Sequence, residues 1–234
     1  ITSDTADSNA VIDLSVIRPK LLKLEPPYNV HVNRHDPALE RESALINRRI
    51  PASKEFIKNH KINKNLFNPK EKKVGIITVG KATTETMDAF ERIGIQSSEK
   101  NGIGVYACKV PWPLINQEII EFCEGFKEIL VIEEKGAIVE EQVAHILFNI
   151  KERPLLSGKL DAITKEALIP KTSELSSDII ADCLLKKLAP KSTENDKVKV
   201  KPVSLGDNLP PVATRTPWYC AGCPHNSGTK TPDD

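Results

Sequence analysis

The alternation of short apolar runs with amphipathic segments over residues 73–190 is the feature that most constrains the fold. The run KVGIITVG, residues 73–80, is almost continuously apolar, which is typical of a strand buried on both faces. Strands that alternate with helices form right-handed βαβ units on a mainly parallel sheet. We therefore predict an α/β domain with an open, mainly parallel sheet and flanking helices. Its further strands are expected at 102–109, 128–133 and, at the edge, 154–159, and its helices at 81–93, 116–126, 137–150 and 176–188.

The segments that flank this domain have a different character. Asp36 and Pro37 are a plausible start for a helix over 38–50, because Asp can cap a helix and Pro suits its first turn. A second short helix is expected over 51–59. The predicted organisation is an extended and helical lead-in (1–72), the α/β domain (73–190), a linker (191–211) and a short Cys-containing tail of different character (212–234).

Charge and hydropathy exclude several classes of partner. Lys and Arg number 33 and Asp and Glu 32, so the formal net charge is +1 and carries no signature of nucleic-acid binding. No apolar run approaches the roughly 18 residues that cross a bilayer, and no signal peptide is readable. Five cysteines are an ordinary, odd number that disfavours a secreted disulfide framework. We therefore expect neither a nucleic-acid nor a membrane partner.

The segment RTPWYCAGCPHN, residues 215–226, is the most informative motif for chemistry. Cys220 and Cys223 are separated by two residues, a spacing that lets both sulfurs bind one metal centre. The spacing alone fits half of a zinc site, a redox dithiol, two ligands of an iron–sulfur cluster, or two unpaired buried thiols. A thioredoxin-type dithiol lies between a strand and a helix, whereas this pair follows a Pro-rich linker. Metal ligation is therefore favoured, with the further ligands supplied from elsewhere.

This motif resembles the start of the C-terminal thiamine-diphosphate domain of indolepyruvate:ferredoxin oxidoreductases, where an aromatic-Cys-x-Gly-Cys-Pro-His-Asn segment supplies cluster ligands. The resemblance covers most of the chain, roughly residues 12–234. Its other matching segments, in order along the chain, are YNVH at 28–31, DP at 36–37, PASK at 51–54, VGIITVGKA at 74–82, VPWPL at 110–114 and ILVIEEK at 129–135.

The resemblance implies oxidative decarboxylation of an arylpyruvate to an acyl-coenzyme A, with electrons passed to ferredoxin. The implied cofactors are thiamine diphosphate with magnesium and four-iron four-sulfur clusters. Cys220 and Cys223 would be two ligands of one cluster, since thiolates are soft, anionic donors that suit iron. His225 and Asn226 would lie just beyond these ligands, where they would either face thiamine diphosphate or shape the turn. The α/β domain would be similar to the C-terminal domain of transketolase.

Family members are several times longer than this chain, which lacks the Gly-Asp-Gly…Asn segment for magnesium and diphosphate and the remaining cluster ligands. We therefore expect an internal fragment, inactive alone, that spans the middle domain and the start of the thiamine-diphosphate domain. The implied partners are the remaining domains of the same enzyme, ferredoxin, coenzyme A and the 2-oxoacid, with a possible homodimer and a cytoplasmic location. The alternative is a non-catalytic α/β interaction module that shares a zinc site with a partner through Cys220 and Cys223.

Three features of the α/β domain carry weaker hypotheses. The turn after the first strand, residues 80–83, either receives a phosphate or is a plain strand-to-helix turn. Glu133 and Glu134 follow the third strand, where they do acid–base work, form a helix-proximal ion-pair cluster or make an interdomain contact. Trp112, between two prolines, is expected to anchor a rigid loop against a neighbouring domain. The remaining cysteines, Cys108, Cys123 and Cys183, are expected to be buried, inert thiols.

Overall fold

The computed structural model describes residues 35–95, 102–188, 219 and 221–230. The chain divides into two compact units, Ile1–Val200 and Lys201–Asp234. The first unit contains a sheet with its helices, and the second contains the cysteine-containing tail. In the part of the chain that is described, no helix combines the length and the apolar character needed to cross a membrane.

The described part of the lead-in is helical from Ala38 to Asn59. Helix α1 (Ala38–Ala44) runs through a π-helical turn (Leu45–Arg49) directly into helix α2 (Ile50–Asn59). The two helices predicted over 38–50 and 51–59 are therefore one continuous helical run. Pro37, rather than Asp36, is the N-cap residue, and its side chain can donate or accept no hydrogen bond there.

A five-stranded sheet in the order β1-β3-β2-β4-β5 forms the centre of the first unit. Strands β3, β2, β4 and β5 are parallel, and the edge strand β1 is antiparallel to β3. The predicted open, mainly parallel α/β sheet is confirmed. The strands are β1 (Lys64–Phe67), β2 (Val74–Val79), β3 (Ile103–Cys108), β4 (Glu128–Ile132) and β5 (Leu155–Ser157).

Strand β1 lies inside the segment that the sequence pattern assigned to the lead-in. Its residues KNLF are mostly exposed, so they show no apolar run and no clear alternation. The strand exists because its backbone pairs with β3, where Lys64 is opposite Ala107 and Asn65 is opposite Tyr106. Edge strands that depend on a partner in this way give a weak sequence signal. The domain limits proposed at 72, 190 and 211 remain predictions.

Helices cover both faces of the sheet, which explains why its central strands are apolar throughout. Ile76 and its neighbours in register, Val105 and Leu130, point to one face, and Ile77 points to the other. Because successive side chains of a strand alternate, burying both faces requires a nearly continuous apolar run. Helices α3 (Ala82–Arg92) and α6 (Ser177–Leu188) pack on the first face, and α4 (Asn116–Cys123) and α5 (Ile138–Leu147) on the second.

The second face depends on a close approach between Gly104 and an aromatic ring. A Cβ atom at Gly104 would lie 2.3 Å from Cζ of Phe126, well inside van der Waals contact. Phe126 is buried and lies 5.3 Å from Phe122, measured between ring centroids. The missing side chain of Gly104 therefore leaves the space that Phe126 fills.

A buried ion-pair cluster ties α6 to the sheet. The Lys187 ammonium, whose side chain is 6% exposed, pairs with the carboxylate of Glu128 and, at 2.6 Å, with that of Asp161. The hydrogen bond from Lys187 lowers the pKa of Asp161 to about 2. Burial alone would lower the pKa of Lys187, but its hydrogen bonds to Asp161 and Glu128 outweigh burial and raise it. Lys187 and Asp161 are therefore both charged at neutral pH.

Candidate functional site

The tail folds into a tight turn around Cys223, which we call the Cys–His turn (residues 221–229). Gly222 has φ = +80°, in the left-handed region that glycine occupies without steric cost. The Asn226 N–H donates to the Cys223 carbonyl at 3.0 Å, and a short helix, α7 (His225–Gly228), follows. The turn leaves the Cys223 side chain partly exposed.

The imidazole of His225 lies directly beside the Cys223 sulfur. The distance from Nδ1 of His225 to Sγ of Cys223 is 3.2 Å. The ring of Tyr219 stacks on the His225 ring, with 5.4 Å between centroids and 28° between planes. The Thr229 hydroxyl donates to the His225 carbonyl at 2.6 Å. Both the ring and the backbone of His225 are therefore held in place.

The predicted site residues are only partly brought together by the described turn. Cys220 lies outside the described residues, so its relation to Cys223 stays a prediction. His225 contacts the sulfur of Cys223, a contact that the spacing did not predict. The Asn226 N–H donates to the Cys223 carbonyl, and the expected roles of His225 and Asn226, facing thiamine diphosphate or shaping the turn, stay predictions. Over the described ranges, no three His, Cys, Asp or Glu side chains are grouped to hold a metal.

The donor atoms of the Cys–His turn fit the metal chemistry expected of it. A partly exposed thiol in a glycine turn can become a thiolate ligand of an iron–sulfur cluster. The 3.2 Å between Sγ of Cys223 and Nδ1 of His225 suits a hydrogen bond to that sulfur. It is also close to the roughly 3.5 Å that separates sulfur and nitrogen ligands of one tetrahedral zinc ion. The turn can therefore supply one ligand to a cluster or two to zinc.

The turn after β2 engages its polar groups within the protein. Gly80 has φ = +55°, which lets the chain reverse into helix α3. The Lys81 ammonium pairs with the carboxylates of Glu174 and, at 3.6 Å, Glu85. The Thr83 hydroxyl lies 2.9 Å from that of Thr78. These contacts support the plain strand-to-helix turn rather than a phosphate site.

The carboxylate of Glu133, at the end of β4, caps helix α5. It is 3% exposed and accepts hydrogen bonds from the N–H groups of Val139 and Glu140, each at 2.9 Å. The buried Lys159 ammonium donates to the Glu133 carbonyl at 2.5 Å. Burial lowers the pKa of Lys159, and the nearby carboxylates of Glu133 and Glu140 oppose that effect. The structure therefore favours the helix-proximal cluster over acid–base work for Glu133.

The loop that carries Trp112 is held firmly while its indole faces outward. Trp112 is 59% exposed. The Gln142 amide donates to the Pro111 carbonyl at 2.8 Å and accepts from the Leu114 N–H at 3.3 Å. The same amide nitrogen donates to the carbonyl of Ile138, itself 62% exposed. An exposed aromatic side chain on a hydrogen-bonded loop is consistent with the predicted anchor, and the domain that it contacts stays a prediction.

A polar groove between β1 and α4 was not predicted. Its volume is about 590 Å³. At its base the Tyr106 hydroxyl donates to Glu118 at 2.8 Å, and burial and this carboxylate raise the pKa of Tyr106. Asn63 is buried and accepts from the N–H of Lys109 at 3.0 Å. The groove forms because β1 pairs with β3. Since the sequence pattern did not predict β1, it did not predict the groove either. The Asn-rich stretch at 63–68 was a sequence signal that could have indicated it.

Comparison with protein families gives a match over most of the first unit, Ile1–Val200, which we call the sheet unit. A family model described as an indolepyruvate oxidoreductase domain matches residues 64–208, more than half of the chain. The match begins at β1 and continues beyond α6. It includes every strand of the described sheet and ends before the Cys–His turn.

Curated relatives give a consistent result. The indolepyruvate oxidoreductase subunits IorA of Methanothermobacter marburgensis and Methanothermobacter thermautotrophicus are 26% and 24% identical to this chain over 166 residues. The aligned region covers 71% of this chain and 24% of each relative. The chain therefore spans about a quarter of the length of the curated relatives it matches.

Two solved structures are more distantly similar. A split-gene transketolase, described as an inactive β4 tetramer, has a TM-score of 0.37 at 16% identity and covers 54% of this chain and 41% of its own. A 2-oxoglutarate:ferredoxin oxidoreductase from Magnetococcus marinus, with 2-oxoglutarate, coenzyme A and succinyl-CoA bound, has a TM-score of 0.42 at 15% identity. The latter match covers 66% of this chain and 24% of that one.

Proposed function

The chain belongs to the indolepyruvate oxidoreductase domain family, and from that premise we propose that it is part of an indolepyruvate:ferredoxin oxidoreductase. The full enzyme would decarboxylate an arylpyruvate oxidatively, form an acyl-coenzyme A and pass electrons to ferredoxin. The observation that carries this proposal is the family match over residues 64–208. The described Cys–His turn supports it, because its thiol suits iron–sulfur ligation.

In the proposed enzyme, Cys223 and Cys220 hold a four-iron four-sulfur cluster together with ligands from elsewhere in the protein. The proposed cofactors, thiamine diphosphate with magnesium and the cluster, would supply the electron sink for decarboxylation and the path to ferredoxin. The part played by this chain is to bind and position. Cys223 offers a thiolate from a turn fixed by Gly222, and the Asn226 N–H holds the carbonyl side of that turn.

The sheet unit would serve as the middle domain against which the other domains pack. Trp112 stands exposed on a loop that Gln142 fixes, so it can dock without losing much conformational freedom. The proposed partners are the remaining domains and subunits of the enzyme, ferredoxin, coenzyme A and the 2-oxoacid. A cytoplasmic location and a homodimer of the full enzyme are part of the proposal.

The 234-residue chain alone should be inactive, since it matches only 24% of the length of its relatives. The test compares anaerobically purified full-length enzyme with this chain, each supplied with indolepyruvate, coenzyme A and oxidised ferredoxin. We expect acyl-coenzyme A and reduced ferredoxin only from the full-length enzyme. Turnover by the short chain would refute its inactivity, and no turnover of any arylpyruvate by the loaded full-length enzyme would refute the substrate.

One observation favours a second candidate function. In this alternative, Cys220 and Cys223 bind a zinc ion shared with a partner, and the His225 imidazole beside the Cys223 sulfur can supply a further ligand. In that case the sheet unit is a non-catalytic interaction module. Metal analysis of the full-length protein separates the two functions, because the module contains zinc without iron or sulfide.

A further inference from the structure

We propose that His225 is a positioning residue for Cys223, and that its Nδ1–H donates a hydrogen bond to the Cys223 sulfur while that sulfur ligates the cluster. This inference rests on the proposed function. It assigns the imidazole to the hydrogen-bonding shell of the ligand, neither to the metal nor to thiamine diphosphate.

The hydrogen of this contact must lie on Nδ1 of His225. A thiolate bound to iron can only accept a hydrogen bond, so a contact at 3.2 Å requires the hydrogen on Nδ1 of His225. The proline between the two residues fixes the backbone φ at Pro224, where it is −58°. The contact is therefore built into the turn by the Cys-Pro-His sequence.

Two contacts set the orientation of the His225 ring. Tyr219 stacks on one face of the His225 ring, with 5.4 Å between centroids. The Thr229 hydroxyl holds the His225 carbonyl at 2.6 Å, which fixes the backbone from which the ring projects. An imidazole held at both points is already oriented toward Sγ of Cys223, so forming the hydrogen bond costs little side-chain entropy.

The hydrogen bond from His225 to Cys223 affects electron transfer through the cluster. Reduction adds negative charge to an iron–sulfur cluster, and hydrogen bonds to its sulfurs stabilise the reduced form. The hydrogen bond from His225 therefore raises the reduction potential of the cluster that Cys223 ligates. The tail would thus contribute both a cluster ligand, Cys223, and a residue, His225, that raises the reduction potential of the cluster.

The test uses the full-length enzyme and three variants at one position. H225F removes the donor and keeps an aromatic ring against Tyr219. H225N places an amide N–H near the position of Nδ1, whereas H225Q places it near Nε2. Circular dichroism checks folding, iron and sulfide analysis checks loading, and a redox titration followed by electron paramagnetic resonance gives the potential.

We expect all four proteins to contain the cluster. At a fixed applied potential, the ratio of reduced to oxidised cluster should fall by about tenfold in H225F and H225Q, because a hydrogen bond to a charged group is lost. H225N should stay close to the wild type. If H225F loses iron while H225N keeps it, the result also supports the hydrogen bond, because only the variant without a donor at the position of Nδ1 fails to retain the cluster.

Two outcomes overturn the inference while the proposed function stands: an H225F potential equal to that of the wild type, or loss of iron from every folded His225 variant, which would make His225 a ligand. Zinc without iron in the wild-type protein would overturn the proposed function as well. The failures of the two proposals are therefore distinguishable.

Discussion

The cysteines of the sheet unit and the cysteine of the Cys–His turn occupy opposite environments. Cys108 and Cys123 are buried in the second face of the sheet, and burial raises the pKa of each thiol to about 12. Burial also raises the pKa of Cys183, whose thiol donates to the Leu168 carbonyl. Cys223 is partly exposed and lies beside an imidazole. The sheet unit therefore uses cysteine as a small apolar residue, whereas the tail leaves a cysteine accessible beside an imidazole.

The polar and ionisable side chains of the two regions differ in the same way. In the sheet unit, Glu133 and Lys187 are buried with specific partners and contribute to stability. In the tail, the polar side chains of Cys223 and His225 contact each other at the surface. The difference teaches that the polar groups buried in the sheet unit support the fold, whereas the side chains proposed to bind metal lie in the short turn.

The largest expected difference is in thiol reactivity. In the 234-residue chain carrying C220S, iodoacetamide at pH 8 should modify Cys223 more than about a hundredfold faster than Cys108 or Cys123. A thiol with a pKa near 12 is about one ten-thousandth thiolate at that pH, and burial also blocks access. Mass spectrometry of timed digests measures the rates. Equal labelling of Cys108 and Cys223 in the folded chain would break the comparison.

The next largest effect concerns Lys187. K187M should lower the free energy of unfolding by about 3 kcal/mol, because it leaves the carboxylates of Glu128 and Asp161, whose side chains are only 14% and 13% exposed, without their cation. Urea unfolding measures the change, and the labelling rate of Cys223 should not move. The matched control is K186M, at an exposed position on the same helix, which should change stability by less than about 0.5 kcal/mol. Similar losses in the two variants would contradict the cluster's role.

Acid should reveal the same cluster through Asp161. Its pKa falls from 3.8 to about 2 on folding, so its stabilising contribution is complete above pH 4 and disappears as the pH falls toward 2. The shift corresponds to roughly 2 kcal/mol. D161N should therefore flatten the decrease in unfolding free energy between pH 4 and 2, measured by urea titration at each pH. If the unfolding free energy of D161N decreases between pH 4 and 2 as steeply as that of the wild type, other carboxylates cause the acid sensitivity.

The smallest effect tests packing in the sheet. G104A should destabilise the chain by about 2 kcal/mol, because the new methyl group would overlap the Phe126 ring. G136A is the matched control, since a Cβ there meets no atom within 4 Å. Thermal unfolding of the two variants should differ clearly, with Cys223 labelled at the wild-type rate in both. Equal melting temperatures would show that Phe126 moves aside without cost.

The central sheet was predictable because burial on both faces leaves an unmistakable apolar run, as in Val74–Val79. Strand β1 was not, because KNLF is exposed and its pairing is determined by β3. The polar groove was hidden for the same reason. The sequence left the role of Glu133 open between acid–base work and a structural contact, because only the structure shows that its oxygens accept hydrogen bonds from the first N–H groups of α5.

In the tail, the motif indicated Cys223 as a ligand, and its chemistry follows from the residue type. The contact between Cys223 and His225 could not be read from the spacing, since it depends on the turn geometry at Gly222 and on the stacked Tyr219. Sequence therefore identified the residues of the candidate site more readily than the relation between them.

Metal analysis of the anaerobically purified full-length protein, with C223S beside it and S227A as a control in the same turn, tests the central claim most directly. The account predicts iron and sulfide at about four each per cluster. C223S should lose the iron and sulfide of one cluster, and S227A should keep them. Addition of a 2-oxoacid and coenzyme A should bleach the visible absorption of the wild type. Zinc without iron in the wild type, or an unchanged iron content in C223S, would contradict it.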